Sequence, residues 1–170
     1  MWHQVRDNAA MVTTALSKLL STRTFGPSLR SAPVSRPTDA PDAVVAMMAS
    51  DSASRALGIV LIDHGAGWAV TEMVVRPDMV NGYGMAHGGL IFSAADTAFA
   101  CACNSWGPVA VAAGCEIVFV APARVGDVLQ ADARERTRFG RSGIYDVTVR
   151  RGTDVIAEFR GRSHQVRETP

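Results

Sequence analysis

The segment from Asn81 to Asn104, NGYGMAHGGLIFSAADTAFACACN, contains a single acidic residue, Asp96, among apolar and small residues. Burying a carboxylate without a partner costs free energy, so its presence there needs a reason. Asp96 could act as a general base that deprotonates a water, or as a nucleophile that forms a mixed anhydride. The structural alternative is a core aspartate that accepts a hydrogen bond from the hydroxyl of Ser93 or Thr97.

Two glycines, Gly88 and Gly89, stand where this segment is predicted to begin a helix. The first N–H groups of a helix lack intrahelical partners and carry the positive end of its dipole. In a dry site such a group can stabilise negative charge that builds on a carbonyl oxygen during acyl transfer. Glycine also lets a ligand approach the backbone closely. The alternative is a plain glycine turn before a helix.

Two polar residues precede these glycines. The amide of Asn81 both donates and accepts, so it could orient a water or a carboxylate; alternatively, Asn81 serves only the turn that it forms with Gly82. His87 lies beside the positive end of the predicted helix, which disfavours the imidazolium form. We therefore expect a neutral, hydrogen-bonding His87, or one that makes only a local bond at the helix start.

The pattern around this segment predicts the elements that position it. Residues 88–104 are the longest helix candidate, and their apolar side chains cover every side, which is typical of a buried helix. A short helix is predicted over 42–57, followed by two strands around a glycine-rich turn at 64–67. Four further strand-like segments follow, at 113–120, 127–137, 143–150 and 154–165. Their short turns require antiparallel neighbours. The predicted fold class is α+β, with a six-stranded antiparallel sheet wrapped around one long apolar helix.

Residues 1–40 differ from the rest and are predicted to be an N-terminal extension of a domain over 41–170. Their start is amphipathic, with apolar residues at spacings of three and four. A linker rich in Ser, Pro and Arg follows. A real surface helix, an organelle transit segment and a start codon assigned too far upstream are all compatible with this pattern.

Composition narrows the range of partners. The formal net charge of +1 gives no reason to expect nucleic acid as a partner. No apolar run is long enough to span a bilayer, so no membrane partner is expected. The three cysteines do not have zinc-ligand spacing, and neither a metal nor a cofactor is predicted. We expect these cysteines to be buried, reduced thiols of a cytoplasmic protein.

The combined spacing of these motifs resembles that of a known family. Asn81, His87-Gly88-Gly89, the run from Asp96 to Ala100, and Asn104 resemble the hotdog-fold thioesterases of the PaaI type. That family acts in phenylacetate degradation and hydrolyses acyl-CoA thioesters. The similarity extends over about 42–166 and includes four more segments in family order: ALGI at 56–59, VAPARVGD at 120–127, GIYDV at 143–147 and FRGRSH at 159–164.

The resemblance implies a role for each motif residue. It makes Asp96 the catalytic carboxylate and the Gly88 N–H the donor to the thioester oxygen, with Asn81 and His87 shaping that end of the site. A related branch uses Glu, with Thr one helical turn later; here that turn holds Ala100, so the chain sides with the Asp branch. The expected substrates are aryl-acetyl-CoA thioesters such as hydroxyphenylacetyl-CoA, and coenzyme A is then part of the substrate rather than a cofactor.

Coenzyme A carries phosphates, which guanidinium groups bind well. Arginines in the last turns and the final strand are weak candidates for this contact, each of them alternatively a solvated surface charge: Arg124, Arg138, Arg141, Arg160 and Arg162. The family places a loop near the nucleotide at the positions of Ser142 and Gly143, which are further weak candidates.

Two rival functions remain. A hotdog acyl-CoA hydratase or dehydratase would carry a His-Pro entry or an Asp-to-His pair, and neither pattern surrounds Asp96. A non-catalytic acyl-CoA sensor would have no need for an ionisable group on an apolar helix.

The spacing along the helix also bears on assembly. Gly88 and Asp96 are eight residues apart, or roughly 12 Å along a helix axis, too far for one carboxylate to act on a carbonyl held at Gly88. We therefore expect a homodimer in which an antiparallel second copy supplies Asp96 to each site. Two such dimers are expected to pair into a homotetramer.

Overall fold

A computed structural model of the chain describes residues 42–166. The predicted N-terminal extension over 1–40 lies outside the described residues. Among residues 42–166, no helix is long and apolar enough to cross a membrane. In the same range, no three His, Cys, Asp or Glu side chains are grouped so that they could hold a metal ion.

Six antiparallel strands form one sheet in the order β1-β2-β4-β5-β6-β3. The first two strands precede the long helix in sequence and the other four follow it. Their bounds are β1 Val60–Gly65, β2 Trp68–Val74, β3 Ala110–Phe119, β4 Val128–Phe139, β5 Ser142–Arg151 and β6 Asp154–Gln165. Because β3 is paired only with β6, it forms one open edge of the sheet.

The long helix spans Gly88–Asn104 and packs against one face of this sheet. Strand residues alternate between this face and the outside, as the period of two requires. In β5, for example, Tyr145, Val147 and Val149 are buried. The ring of Phe99 packs edge-on against Tyr145, with ring centroids 5.6 Å apart. The predicted fold, a sheet wrapped around one apolar helix, is confirmed.

The predicted short helix over 42–57 is wrong in one respect, because the structure has two helices there. The first, α1, spans Ala43–Ser50, and the second, α2, spans Ser52–Leu57. Asp51 has an extended backbone, and its Oδ1 accepts the N–H groups of Ala53 and Ser54, each at 3.0 Å. The side chain thus starts a second helix, as short polar residues at an N-cap do. The long helix 88–104 is accordingly α3.

The prediction that α3 is buried on every side is also too strong. Ten of its 17 residues are buried, and the residues that are not fully covered include Gly89, Ser93, Asp96 and Ala100. These residues are spaced by three and four, so they share one face of the helix. Asp96, the one acidic residue of the helix, therefore lies on a partly open face.

Candidate active site

The turn before α3 is held together by Asn81. Its Oδ1 accepts the N–H groups of Tyr83 at 2.9 Å and of Met85 at 3.3 Å. Its backbone N–H donates to the Met85 carbonyl at 2.7 Å, and Gly84 supplies the positive φ that closes the turn. Asn81 therefore forms the expected turn, and its predicted role in orienting water or the carboxylate stays a prediction.

His87 caps the N-terminus of α3. Its Nδ1 accepts the N–H of Gly89 at 3.1 Å, so this nitrogen carries no proton when the bond is formed. The imidazole is then neutral, in line with the dipole argument. The Gly89 N–H is therefore not available to a ligand. The backbone N–H of His87 donates to the carbonyl of Met79 at 2.8 Å, which fixes the start of the helix.

The N–H of Gly88 remains available. Within residues 42–166 it donates to no acceptor, whereas the next three N–H groups of α3 are all bonded to His87. Gly88 thus provides a free donor at the positive end of a 17-residue helix. That is the arrangement expected of a donor to a developing oxyanion.

Gly88 and Asn81 line the same cavity, which has a volume of about 370 Å³. Most of the other lining residues are apolar, among them Met85, Ile91 and Phe119. The ring tip of Phe119, Cζ, lies 3.0 Å from the position that a Cβ on Gly88 would occupy. The structure therefore joins a free backbone N–H, an amide side chain and apolar surface in one cavity.

Asp96 is half-buried on the partly open face of α3. Its Oδ1 lies 3.8 Å from Sγ of Cys115 on β3. Burial raises the pKa of Asp96 above its usual value, and the thiol of Cys115 lowers it in part. The hydroxyls of Ser93 and Thr97 donate to helix carbonyls at 2.9 Å instead. The alternative in which either hydroxyl caps Asp96 therefore does not occur.

Within one chain, Asp96 and Gly88 are far apart by two measures. The eight residues of helix between them amount to roughly 12 Å. Asp96 contacts Cys115 and Gly88 faces Phe119, and these partners are four residues apart on β3, or roughly 13 Å. Consistent with this, Asp96 does not line the cavity that holds Gly88 and Asn81.

The candidate coenzyme A residues fall into separate groups. Four of them line one cavity of about 300 Å³ beyond the C-terminal part of α3: Arg138, Arg141, Ser142 and Gly143. In this cavity Arg138 stacks over Trp106 at 3.7 Å, Arg141 donates to the carbonyl of Gln165, and Ser142 lies 3.1 Å from His164 Nδ1.

The remaining three arginines lie elsewhere. Arg160 forms a two-bond ion pair with Asp146, at 2.6 and 2.9 Å, on the outer face of the sheet. Arg162 lies 3.7 Å from Glu116, and Arg124 is exposed in the loop before β4. All five arginines were equivalent candidates in the sequence. The structure places two of them, Arg138 and Arg141, at the cavity beyond the C-terminal part of α3.

Two residues at the site were not singled out from the sequence. Cys115 contacts Asp96, and Phe119 closes over Gly88. A β-bulge between Ala112 and Gly114 decides that both face the helix. An extra residue reverses the facing of every side chain after it, so strand alternation alone could not have assigned them.

Comparison with known proteins agrees with this fold and these motifs. Residues 83–158 match the family model described as the thioesterase superfamily. Over 122 residues the chain is 45% identical to acyl-coenzyme A thioesterase PaaI of Escherichia coli K12. The aligned region covers 71% of this chain and 87% of that protein. The chain belongs to the thioesterase superfamily. The resemblance to PaaI-type thioesterases is thereby confirmed.

Solved structures of thioesterase relatives give the same result. The structure of the E. coli PaaI protein from the phenylacetic acid degradation operon matches with a TM-score of 0.73 at 43% identity, covering 75% of this chain and 93% of that one. A single-residue mutant of the phenylacetic acid degradation protein PaaI from Thermus thermophilus matches with a TM-score of 0.66 at 34% identity, covering 68% of this chain and 100% of that one. The hotdog fold of this thioesterase domain is therefore shared with both.

Proposed function

We propose that this chain hydrolyses acyl-CoA thioesters to a free acid and coenzyme A. The observation that carries the proposal is the free N–H of Gly88, which opens a long helix inside a largely apolar cavity. A thioester carbonyl that enters this cavity can accept from that N–H, and the donor becomes more effective as the oxygen gains charge. The similarity to a named acyl-coenzyme A thioesterase supports this choice of substrate.

In this proposal Asp96 is the general base. Because burial raises its pKa, the ionised carboxylate is a stronger base than an exposed aspartate. It removes a proton from water as the oxygen attacks the thioester carbon. The C–S bond then breaks, and the proton returns to the leaving thiolate, so that the carboxylate is regenerated. Asn81 and neutral His87 keep the Gly88 end of the site in shape.

We propose aryl-acetyl-CoA thioesters, such as hydroxyphenylacetyl-CoA, as the preferred substrates. Support comes from the apolar cavity beside Gly88, which offers Met85, Ile91 and Phe119 to a ring. The E. coli relative comes from the phenylacetic acid degradation operon, which fits the same class of acyl group.

For the coenzyme A moiety, the proposal favours the cavity that contains Arg138 and Arg141. Arg138 Nε lies 3.2 Å from Glu135 and Arg141 donates to Gln165, so the remaining donors of the two guanidinium groups and the Ser142 hydroxyl are the ones that suit a phosphate. Arg160 is a weaker candidate, because Asp146 already occupies its two-donor edge. Arg124 and Arg162 remain candidates for a phosphate that extends along the surface.

We further propose that the active form is a homodimer with shared sites. Support comes from the open edge of β3, where three apolar side chains are between 47% and 65% exposed: Val111, Val118 and Phe119. An unpaired strand edge with apolar side chains is a surface that another chain readily covers. A copy related by a two-fold axis would place its Asp96 near the Gly88 of the first chain. We also propose that two such dimers pair into a tetramer. The proposed location of the protein is the cytoplasm.

A thiol-release assay over a panel of acyl-CoAs, including phenylacetyl-, hydroxyphenylacetyl-, acetyl- and long-chain esters, tests the function. We expect aryl-acetyl esters to give the highest kcat/KM. Asp96→Asn keeps the size of the side chain and removes the base, so turnover should fall by more than a factor of about 100 while the protein remains folded in thermal unfolding.

Asp132→Asn is the matched control, because that carboxylate is ion-paired with Arg134 on the outer face of the sheet and should leave turnover unchanged. Tight binding of acyl-CoA without turnover by the wild type would instead indicate a sensor. Loss of less than tenfold in Asp96→Asn would remove Asp96 from the mechanism.

A further inference from the structure

We propose that Cys115 is a positioning residue for Asp96: its thiol donates to Oδ1 and holds the carboxylate in the orientation in which it acts. This inference rests on the proposed function, in which Asp96 is the base. The bond joins β3 to the middle of α3, with Sγ and Oδ1 3.8 Å apart. Among residues 42–166, Asp96 accepts no other side-chain hydrogen bond.

The fold fixes the position of Cys115. After the bulge between Ala112 and Gly114, alternate residues of β3 face α3, and Cys115 and Ile117 both pack against the core from the strand. Glu116, between them, points to the outer face, where it lies near Arg162. A thiol anchored in a strand has few rotamers to choose from, so its contact with Asp96 is defined by the backbone.

The thiol is a donor rather than a nucleophile. Burial is the main cause that raises the pKa of Cys115 to about 11, and the nearby charge of Asp96 adds to this. The S–H therefore stays protonated at neutral pH, and a protonated thiol donates weakly and reacts slowly. The bond leaves Oδ2 of Asp96 without a partner among the described residues, and this oxygen is the one that we assign to the attacking water.

The charged and titratable groups around this pair are few. On α3 itself, Cys103 is affected by the charge of Asp96, and burial raises the pKa of Cys103 to about 12, so that it too is protonated. From β6, Arg162 acts on the thiol of Cys115 and lowers its pKa slightly against the effect of burial. Because Asp96 itself has no cationic partner among the described residues, the thiol is the group that opposes the rise in its pKa caused by burial.

The variants Cys115→Ala, Cys115→Val and Cys115→Ser separate this role from simple packing. Alanine and valine remove the donor, and valine also keeps most of the volume. In both variants the pKa of Asp96 should rise without the donor, so the acid limb of the kcat/KM profile should move to higher pH. We expect kcat to fall about fivefold, the effect of one hydrogen bond, and KM to stay unchanged. Serine keeps a donor and should retain the wild-type limb. Cys101→Ala, a buried thiol on α3 without contact to Asp96, is the matched control and should change neither.

Three outcomes are decisive. If Cys115→Val keeps the wild-type acid limb while remaining folded, the positioning role is wrong. The same holds if Cys115→Ser moves the limb as far as Cys115→Ala does, because the donor would then not matter. If Asp96→Asn leaves turnover intact, Asp96 is not the base and the proposed function fails at that residue. This failure is distinguishable from failure of the positioning role, because it is seen in a variant in which Cys115 is unchanged.

Discussion

Replacing Gly88 by proline would remove its N–H and put the ring Cδ on the same nitrogen. Gly88 is the first residue of α3, a position where proline is tolerated because its N–H has no intrahelical partner. His87, before it, has φ −66° and ψ 129°, the extended conformation that a residue preceding proline prefers. The Gly88 N–H donates to no group within residues 42–166, so no folded-state hydrogen bond is lost.

The size of the effect follows from what that N–H would do. Loss of one preorganised oxyanion donor lowers kcat by about 100- to 1000-fold, or roughly 3–4 kcal/mol of transition-state stabilisation. Gly88→Ala is the control for the added Cβ, since it keeps the N–H and adds that atom without the Cγ and Cδ of the proline ring. In both variants that atom would lie 3.0 Å from Cζ of Phe119, whose ring is half exposed and can move by a few tenths of an ångström.

Thiol release under saturating acyl-CoA measures kcat for both variants, and thermal unfolding confirms that they are folded. We expect Gly88→Ala to stay within about tenfold of wild type and Gly88→Pro to lose at least tenfold more. Equal kcat values for the two variants, at similar Tm, would show that the N–H of Gly88 does not bind the oxyanion.

Three further predictions follow from the same contacts. A verified heterodimer of one Gly88→Pro chain and one Asp96→Asn chain should recover up to half of wild-type activity if sites are shared; continued inactivity would refute sharing. Gly161→Ala would place a Cβ 2.7 Å from the buried Phe99 ring and should cost about 1–3 kcal/mol by thermal unfolding, whereas Gly82→Ala, with no atom within 4 Å, should cost little. Because burial raises the pKa of Asp96, the wild type loses unfolding free energy as pH rises through that pKa; the Tm of Asp96→Asn relative to wild type should therefore increase between about pH 4 and pH 7, and a flat difference would contradict this.

Much of the fold was predictable because local and global signals agree. The helix over 88–104 follows from its apolar residues and its Gly-Gly start, and its bounds in the structure are the predicted ones. The strands follow from alternation between short turns. The break at Asp51 was missed because apolar periodicity continues through it, although an aspartate followed by Ser-Ala-Ser is itself an N-cap signal.

The candidate site was predictable in its residues but not in its contacts. Motif spacing pointed to Gly88 and Asp96, yet it could not show that His87 consumes the N–H of Gly89 and leaves that of Gly88 free. Nor could it find Cys115, because its facing depends on a bulge whose available signal, the isolated Gly114 in the strand pattern, does not fix the register. The arginines illustrate the same limit, since the fold decides which carboxylate each guanidinium meets, Asp146 for Arg160 and Glu135 for Arg138.

The proposed dimer must satisfy one geometric condition, which β3 makes explicit. Asp96 lies against Cys115, and Gly88 lies against Phe119. If the open edge of β3 pairs antiparallel with its own copy, the two-fold axis has to pass near Ile117, midway between those positions, for Cys115 of one chain to lie opposite Phe119 of the other. The same two-fold axis then places Asp96 of one chain beside Gly88 of the other, although the two residues are roughly 12 Å apart within one helix. If the axis were shifted by two residues along β3, the register between the two β3 strands would change by four residues, or roughly 13 Å. Asp96 of one chain would then again be far from Gly88 of the other.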